Sequence, residues 1–327
     1  MIGGARFSGR ALTGMALDHG HEVTMFHRGS GPDDPWPAAE HVHGDRRDGF
    51  GRAAGRPFDA VVDTCGFVPR ELREAGEAFA DAGLYAFVSS LSAHREDVRA
   101  GATEDDDIHA PPYPDTEEIT FETYGPLKVA TEKEVRSRFG DSALVIRPGY
   151  IVGPDDPTDR FTYWVRRAAR GGEMLVPGSP EDAMQWVDAR DLAAFVLALC
   201  ERGVGGTFSV VTPPGRHSMG ELVETARAQA GADTTFTWID ASFARTHGLL
   251  DDPADPLPMW TPDEPGFELF DTSRAEREGL TCRPLAGTVR DTLTWDAARG
   301  APWPMRAGLS DERERQLLEA WHASAPA

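Results

Sequence analysis

Lysine is almost missing from this 327-residue chain: only Lys128 and Lys133 occur, against 31 arginines. Basic residues of both kinds are outnumbered, 33 Lys plus Arg to 54 Asp plus Glu, which leaves a formal net charge of −21. A field of that sign repels nucleic acid and anionic lipid, so neither is expected as a partner. No stretch of 18 apolar residues exists, which argues against a membrane span. The opening Met1-Ile2-Gly3-Gly4 has neither the basic region nor the apolar run of a secretory leader. Cysteine is scarce as well. Cys65, Cys200 and Cys282 lie far apart without a CxxC, which fits a reducing compartment and reads as small buried residues rather than ligands. The expectation is a soluble cytoplasmic protein.

What the chain does have is alternation. Gly3-Gly4-Ala5-Arg6-Phe7-Ser8-Gly9 opens a helix marked by Leu12, Met15, Ala16 and Leu17, and Glu22 to Phe26 follows as a strand. Strands are expected at 41–43, 58–64, 85–90 and 143–148, with helices at 69–82 and 126–139; Pro126 stands in the first turn of the latter, where its missing N–H costs little. Helices alternating with buried strands predict an α/β fold, a doubly wound parallel sheet of Rossmann type with a smaller C-terminal substrate lobe. Residues 1–152 plus 185–205 are assigned to the dinucleotide domain, and 153–184 plus 206–327 to the lobe. Acidic, proline-bearing 97–120 reads as an exposed loop, 249–267 as a surface loop, and 310–322 as an amphipathic helix. Only Met1 and Ile2 precede the glycines, so the first strand looks truncated; the expectation is that the natural start lies upstream or that several residues are missing.

Small residues before a helix let backbone N–H groups approach a pyrophosphate, and Gly3, Gly4 and Gly9 stand where turn, approach and helix packing require them. By themselves they are equally an ordinary glycine turn. A strand-end carboxylate would receive the ribose 2′-hydroxyl of NAD. Here Phe26 is followed by His27-Arg28-Gly29, which favours NADP through an Arg28–phosphate pair, with NAD left possible and a merely solvated Arg28 the alternative. Asp45 can accept from the adenine amino group, or belong with Arg46 to a charged turn.

Tyr124 and Lys128 are four apart, which puts both on one helix face, and Ser90 ends an intervening strand. An ammonium beside a phenol lowers the phenol's pKa, and the serine hydroxyl can orient the same substrate oxygen, so the trio can move a proton while hydride moves at a nicotinamide. A Y-x-x-x-K match alone is common; beside a nucleotide-type glycine loop it carries weight. Substrate is expected where sheet and lobe meet, with Ser92, His94, Tyr150, Arg160, Phe161, Trp164, Gln185 and Trp186 as candidates, although Trp164 at helical spacing is as well explained as core. The pairs His19/His21 and His41/His43 lack a third ligand at a recognisable spacing, so no metal site is expected.

With Gly3-Gly4-Ala5-Arg6-Phe7-Ser8-Gly9, Asp45-Arg46, Phe87-Val88-Ser89-Ser90, Tyr124-Gly125-Pro126-Leu127-Lys128, Arg147-Pro148 and Gly153-Pro154, the chain resembles the short-chain dehydrogenase/reductase superfamily over nearly its whole length, in the extended NAD(P)-dependent epimerase/dehydratase branch. The resemblance implies Tyr124 as acid/base, Lys128 as the residue that holds the nicotinamide ribose and tunes the tyrosine, and Ser90 as the one that orients substrate oxygen. It also implies cofactor loops at Asp63-Thr64-Cys65-Gly66 and Pro148-Gly149-Tyr150-Ile151, and a homodimer through sheet-domain helices. Two departures matter. Hexose dehydratases of the family carry Asp-Glu after the serine position, where this chain has Leu91-Ser92. Arg6 replaces the usual middle glycine, as in an atypical reductase-like subgroup with a G-G-x-R-F opening. That subgroup also resembles chloroplast nucleic-acid-binding proteins, but the charge argues against carrying RNA binding over. The implied function is an NADP-dependent interconversion of a secondary alcohol and a ketone on a small-molecule or sugar-like substrate. An epimerase with tightly held NAD(P), or a non-enzymatic dinucleotide sensor or scaffold, are the alternatives.

Overall fold

A computed structural model describes residues 1–29, 36–111, 116–250, 252, 254, 256–264, 266–300 and 304–324. The strands of the main sheet are β1 (Thr24–His27), β2 (Glu40–His43), β3 (Ala60–Asp63), β4 (Leu84–Val88) and β5 (Ala143–Pro148), interleaved with helices α1 (Phe7–Asp18), α2 (Pro69–Ala78) and α3 (Phe121–Phe139). The chain continues through β6 (Tyr150–Val152), α4 (Arg160–Ala169), β7 (Glu173–Pro177), β8 (Ala183–Met184), β9 (Trp186–Asp188), α5 (Ala189–Arg202) and β10 (Gly206–Val210). Then come β11 (His217–Ser218), α6 (Met219–Ala230), β12 (Thr235–Ile239), α7 (Ala241–Thr246), α8 (Ser273–Arg277), α9 (Leu285–Ala298) and α10 (Asp311–Ser324).

The main sheet is parallel throughout. β2 pairs with β1, and β3, β4, β5 and β10 follow one another in that order. The gap between β1 and β3 is closed by Ile2, which bridges to Phe26 on one side and Asp63 on the other. The two residues ahead of the glycines therefore occupy the central position and carry the loop out of the sheet.

Side chains alternate across these strands, as a sheet covered on both faces requires. Val62, Leu84, Ala86, Leu144 and Ile146 pack with α1 and α5, whereas Val61, Tyr85 and Phe87 point to the face covered by α2 and α3. A second core lies in the lobe, where Phe161, Trp164, Met174, Val176, Leu222 and Ile239 gather around the parallel pair β7–β12.

Four expectations change. Residues 206–210, assigned to the lobe, join the main sheet beside β5, because Phe208 and Val210 find buried positions there. Helix α3 starts at Phe121 rather than 126: a reciprocal Thr120–Thr123 capping box opens it, and Pro126 falls in its second turn. The stretch 97–120 is not simply exposed, since Ala102 and Glu104 are buried and Glu104 accepts from the Ser209 N–H; part of it, 112–115, lies outside the described residues. In 249–267, Leu257 and Met259 are buried, and the Pro258 carbonyl accepts from the Trp164 indole, which makes Trp164 core. Among the described residues no helix is long and apolar enough to cross a membrane.

Candidate active site

The glycine loop leaves the sheet at Gly3, whose φ is +84° and whose missing Cβ would stand 2.7 Å from the Thr64 hydroxyl oxygen. Gly9 is needed for a different reason: a Cβ there would meet the Gly3 carbonyl oxygen at 2.5 Å. Thr13 holds the loop by donating to the Gly4 carbonyl at 3.1 Å. Arg6 is the N-cap of α1 and is exposed; no side chain among the described residues caps this helix start, and its first turn has no acidic residue. A helix N-terminus without a side-chain cap, with its positive dipole end and a glycine loop packed tightly behind it, fits a pyrophosphate. Phe7, the first helical residue, has φ +41°, an uncommon conformation stored where the loop turns into the helix.

Around this loop the other expected cofactor residues divide. Arg28 is exposed just past β1. Asp45 is half-buried and caps a short helical turn by accepting from the Arg47 N–H, which holds its carboxyl below the usual range. Arg46 does not face outward as part of a charged turn. Its guanidinium is clamped on Asp63 at 2.9 and 3.1 Å, while Asp63, fully buried, also accepts from the Tyr85 hydroxyl and the Cys65 N–H. Both charges of that pair are consumed in holding β3, the loop after it and the 46–48 turn together. Thr64 and Cys65 remain against the glycine loop, and burial pushes the Cys65 thiol up to about 12. Pro148 ends β5, and Tyr150 and Ile151 begin β6.

Lys128 extends from α3 to this same place. Its ammonium is buried and donates to the Gly66 carbonyl at 3.0 Å and the Val88 carbonyl at 3.4 Å, spanning the ends of β3 and β4. It lies 5.7 Å from the Tyr124 ring centroid, and burial lowers its pKa to about 8. Ser90 follows β4, accepts from the Ser92 N–H and donates to the Ser92 hydroxyl at 3.1 Å, and its side chain lies close enough to Tyr124 to favour the ionised phenol. The expected depression of the phenol does not occur. Burial raises the Tyr124 pKa, and the groups opposing it are Ser90 and Arg160, because the Lys128 ammonium is turned toward the two carbonyls. Gly125 sets the spacing of this group: a Cβ on it would stand 2.2 Å from the Ser92 carbonyl oxygen.

Of the expected substrate residues, Ser92 stands beside Ser90, and Arg160 is exposed at the start of α4, 5.9 Å over the Tyr150 ring. The other five, Trp164 among them, are interior. Phe161 packs edge-on to Trp186, itself stacked on His217, within the lobe core. Gln185 spends its amide on the Thr212 and Phe270 carbonyls and the Phe270 N–H. His94 is wedged between Arg147 and the Asp107 carbonyl, with its pKa lowered to about 4 by burial and by Arg147.

Two features escape sequence reasoning. Glu132, two turns beyond Tyr124 on α3, is buried against Arg147 at 2.8 and 2.9 Å and accepts from Ser89 at 2.6 Å, locking α3 to β4 and β5 behind the candidate site. The acid at i+4 from Lys128 is the available signal. Each H-x-H pair also gains a spatial neighbour, His27 for His41/His43 and Glu201 for His19/His21.

A family model described as the NAD dependent epimerase/dehydratase family matches residues 1–210. A curated relative from Arabidopsis thaliana, the chloroplast stem-loop binding protein of 41 kDa b, is 28% identical over 214 residues, 60% of this chain. The chain spans about half of that relative's length (53%). Among solved structures, UDP-glucose 4-epimerase with UDP-glucose from Thermotoga maritima matches at TM-score 0.64 and 17% identity, covering 91% of this chain and 98% of that one. UDP-glucuronic acid 4-epimerase from Bacillus cereus, in complex with NAD, matches at 0.63 and 12%, again over 91% and 98%. At such identities these two share the fold.

Proposed function

The chain belongs to the NAD dependent epimerase/dehydratase family, and on that premise we propose an NADP-dependent oxidoreductase that interconverts a secondary alcohol and a ketone on a small-molecule or sugar-like substrate. The observation that carries the reading is one continuous chain of contacts. Gly3 abuts Thr64 and Cys65, Gly66 accepts from Lys128, Lys128 lies beside Tyr124, and the Ser90 side chain acts on the Tyr124 phenol. That continuity supports reading Tyr124 as a proton-handling phenol beside a dinucleotide cradle.

A bound nicotinamide supplies or accepts the hydride. Tyr124, with its pKa raised, holds its proton at neutral pH and is ready to donate it to a carbonyl oxygen. Ser90 fixes the position of that oxygen, and Lys128 keeps positive charge close while bracing the ends of two strands. Leu91 is buried in the core and Ser92 follows it, so no carboxylate stands in the positions a sugar dehydratase of the family would use. Arg6 in the glycine loop supports the atypical reductase-like subgroup. Arg28, exposed just past β1, whose last residue is His27 rather than a carboxylate, supports NADP. Stem-loop binding, carried in the name of the Arabidopsis relative, is not part of this reading at a net charge of −21.

The test is turnover of a ketone and UDP-hexose panel with NADPH and NADH. Tyr124→Phe is expected to lower turnover about 10²–10⁴-fold while dinucleotide affinity holds; an unchanged rate removes the assignment. Stoichiometric oxidation of cofactor identifies a reductase, and retained cofactor with inverted product an epimerase. Arg28→Ala is expected to weaken NADP and spare NAD, and an NADP preference that persists rules out the 2′-phosphate contact.

A further inference from the structure

The first helix ends in a turn that presents two imidazoles to a carboxylate 180 residues further along the chain. Gly20, at φ +84°, donates to the Leu17 carbonyl at 2.9 Å, and His21 donates to the Ala16 carbonyl at 3.0 Å. Those two bonds make a Schellman turn, which fixes the backbone of His19 and His21 on either side of the glycine. Helix α5 packs along α1 and brings Glu201, in its last turn, to the same spot. His19 Nδ1 and His21 Nε2 both converge on Glu201 Oε1, at 3.1 and 2.9 Å.

This arrangement has an electrostatic oddity. The carboxyl-terminal ends of two helices, each carrying partial negative charge, meet here, and the residue placed between them is a carboxylate. Two histidine hydrogen bonds to one oxygen relieve that concentration only in part, while a divalent cation relieves it directly. The donor set is two imidazoles and a carboxylate, with all three ligand atoms within 4.8 Å of one another. Around a tetrahedral zinc ion with bonds of about 2.0–2.1 Å, ligand atoms stand roughly 3.4 Å apart. The carboxylate oxygen, at 3.1 and 2.9 Å from the two ring nitrogens, has to retreat slightly and the imidazoles, with ring centroids 6.5 Å apart, have to rotate toward a shared ion; the side chains are about half exposed, free to make that adjustment.

We propose that His19, His21 and Glu201 form a surface site for one divalent transition-metal ion of the zinc type, with water completing the coordination and α1 and α5 stapled together at their ends. Imidazole with carboxylate suits zinc and its neighbours rather than magnesium or calcium. The second histidine group on the molecule differs in kind. Gly29 N–H donates to His27 Nδ1, so His27 gives its Nε2 proton to His41 Nδ1, and His41 gives its own to the Trp36 carbonyl; those ring nitrogens are committed to a relay. The proposed site is remote from Tyr124 in role and does not depend on the reaction assigned above.

The experiment is a Zn²⁺ titration of the tag-free, EDTA-treated full chain in competition with a chromogenic chelator, repeated for His21→Ala, Glu201→Gln and His43→Ala. One zinc equivalent is expected, with affinity at least about tenfold lower in the first two variants and unchanged in the third. Co²⁺ should give visible absorption bands of a tetrahedral site in the wild type that disappear in His21→Ala. Far-ultraviolet circular dichroism of the metal-free variants should match wild type, since the replaced groups are at the surface. No zinc uptake, equal uptake by all four proteins, or a loss confined to His43→Ala would each overturn the proposal.

Discussion

Glu268 shows how far one side chain can be pushed by its surroundings. It is buried, with Oε2 accepting from the Gln185 N–H at 2.6 Å and Oε1 without a partner among the described residues. Burial moves its pKa from 4.5 to about 8. The unfolded chain therefore releases this proton near pH 4.5 and the folded chain only near 8, so between those values the folded state binds more protons and stability falls as pH rises. Glu268→Gln removes that penalty. Its melting midpoint relative to wild type should improve from about pH 5 to about pH 8, as followed by fluorescence melts; a difference independent of pH would contradict the buried-acid assignment. The residue behind Tyr124 behaves oppositely. Glu132 is held ionised chiefly by Arg147, with Arg136 also donating to it at 3.0 Å, so Arg147→Met, which removes the buried partner and leaves the half-exposed one, should cost about 3 kcal/mol in urea unfolding.

At the scale of elements, the proposed chemistry depends on α3, because it carries Tyr124, Gly125 and Lys128. Gly125→Ala puts a methyl against the Ser92 carbonyl and must push the helix start away from Ser90. Turnover should fall by an order of magnitude or more with dinucleotide affinity little changed, measurable as a drop in kcat at constant cofactor Kd. The element boundaries also show what a sequence reveals. Helix α6 is readable to its ends because Ser218 caps it and Gly231 stops it. The start of α3 is easily misplaced because Pro126 looks like a first-turn residue, whereas the Thr120–Thr123 box governs. Strand β12 escapes notice since Thr235 to Trp238 are exposed or half-buried and gain strand character only from pairing with β7. Ser90, Tyr124 and Lys128 are legible by type and spacing. His94, Phe161, Gln185 and Trp186 are not, because an aromatic or amide near charged neighbours reads alike in a pocket wall and a core.

On the scale of the molecule, the chain is two packed bodies of apolar residues under a surface with a charge of −21. Self-repulsion at that charge opposes compaction and is screened by salt. The thermal midpoint should rise between about 20 and about 200 mM NaCl, and a fall would show that surface ion pairs outweigh the net field. With Ser89, Glu132 and Arg147 knotting β4, β5 and α3 together, the hydroxyls proposed for proton transfer ride on one stiff frame, while Tyr150 and Arg160, in contact with each other, take no part in that knot. Retargeting such a molecule to a new substrate is then asymmetric. On the proposed reading, exposed Arg160 can be exchanged freely, whereas the knotted frame around Tyr124 tolerates almost no edits.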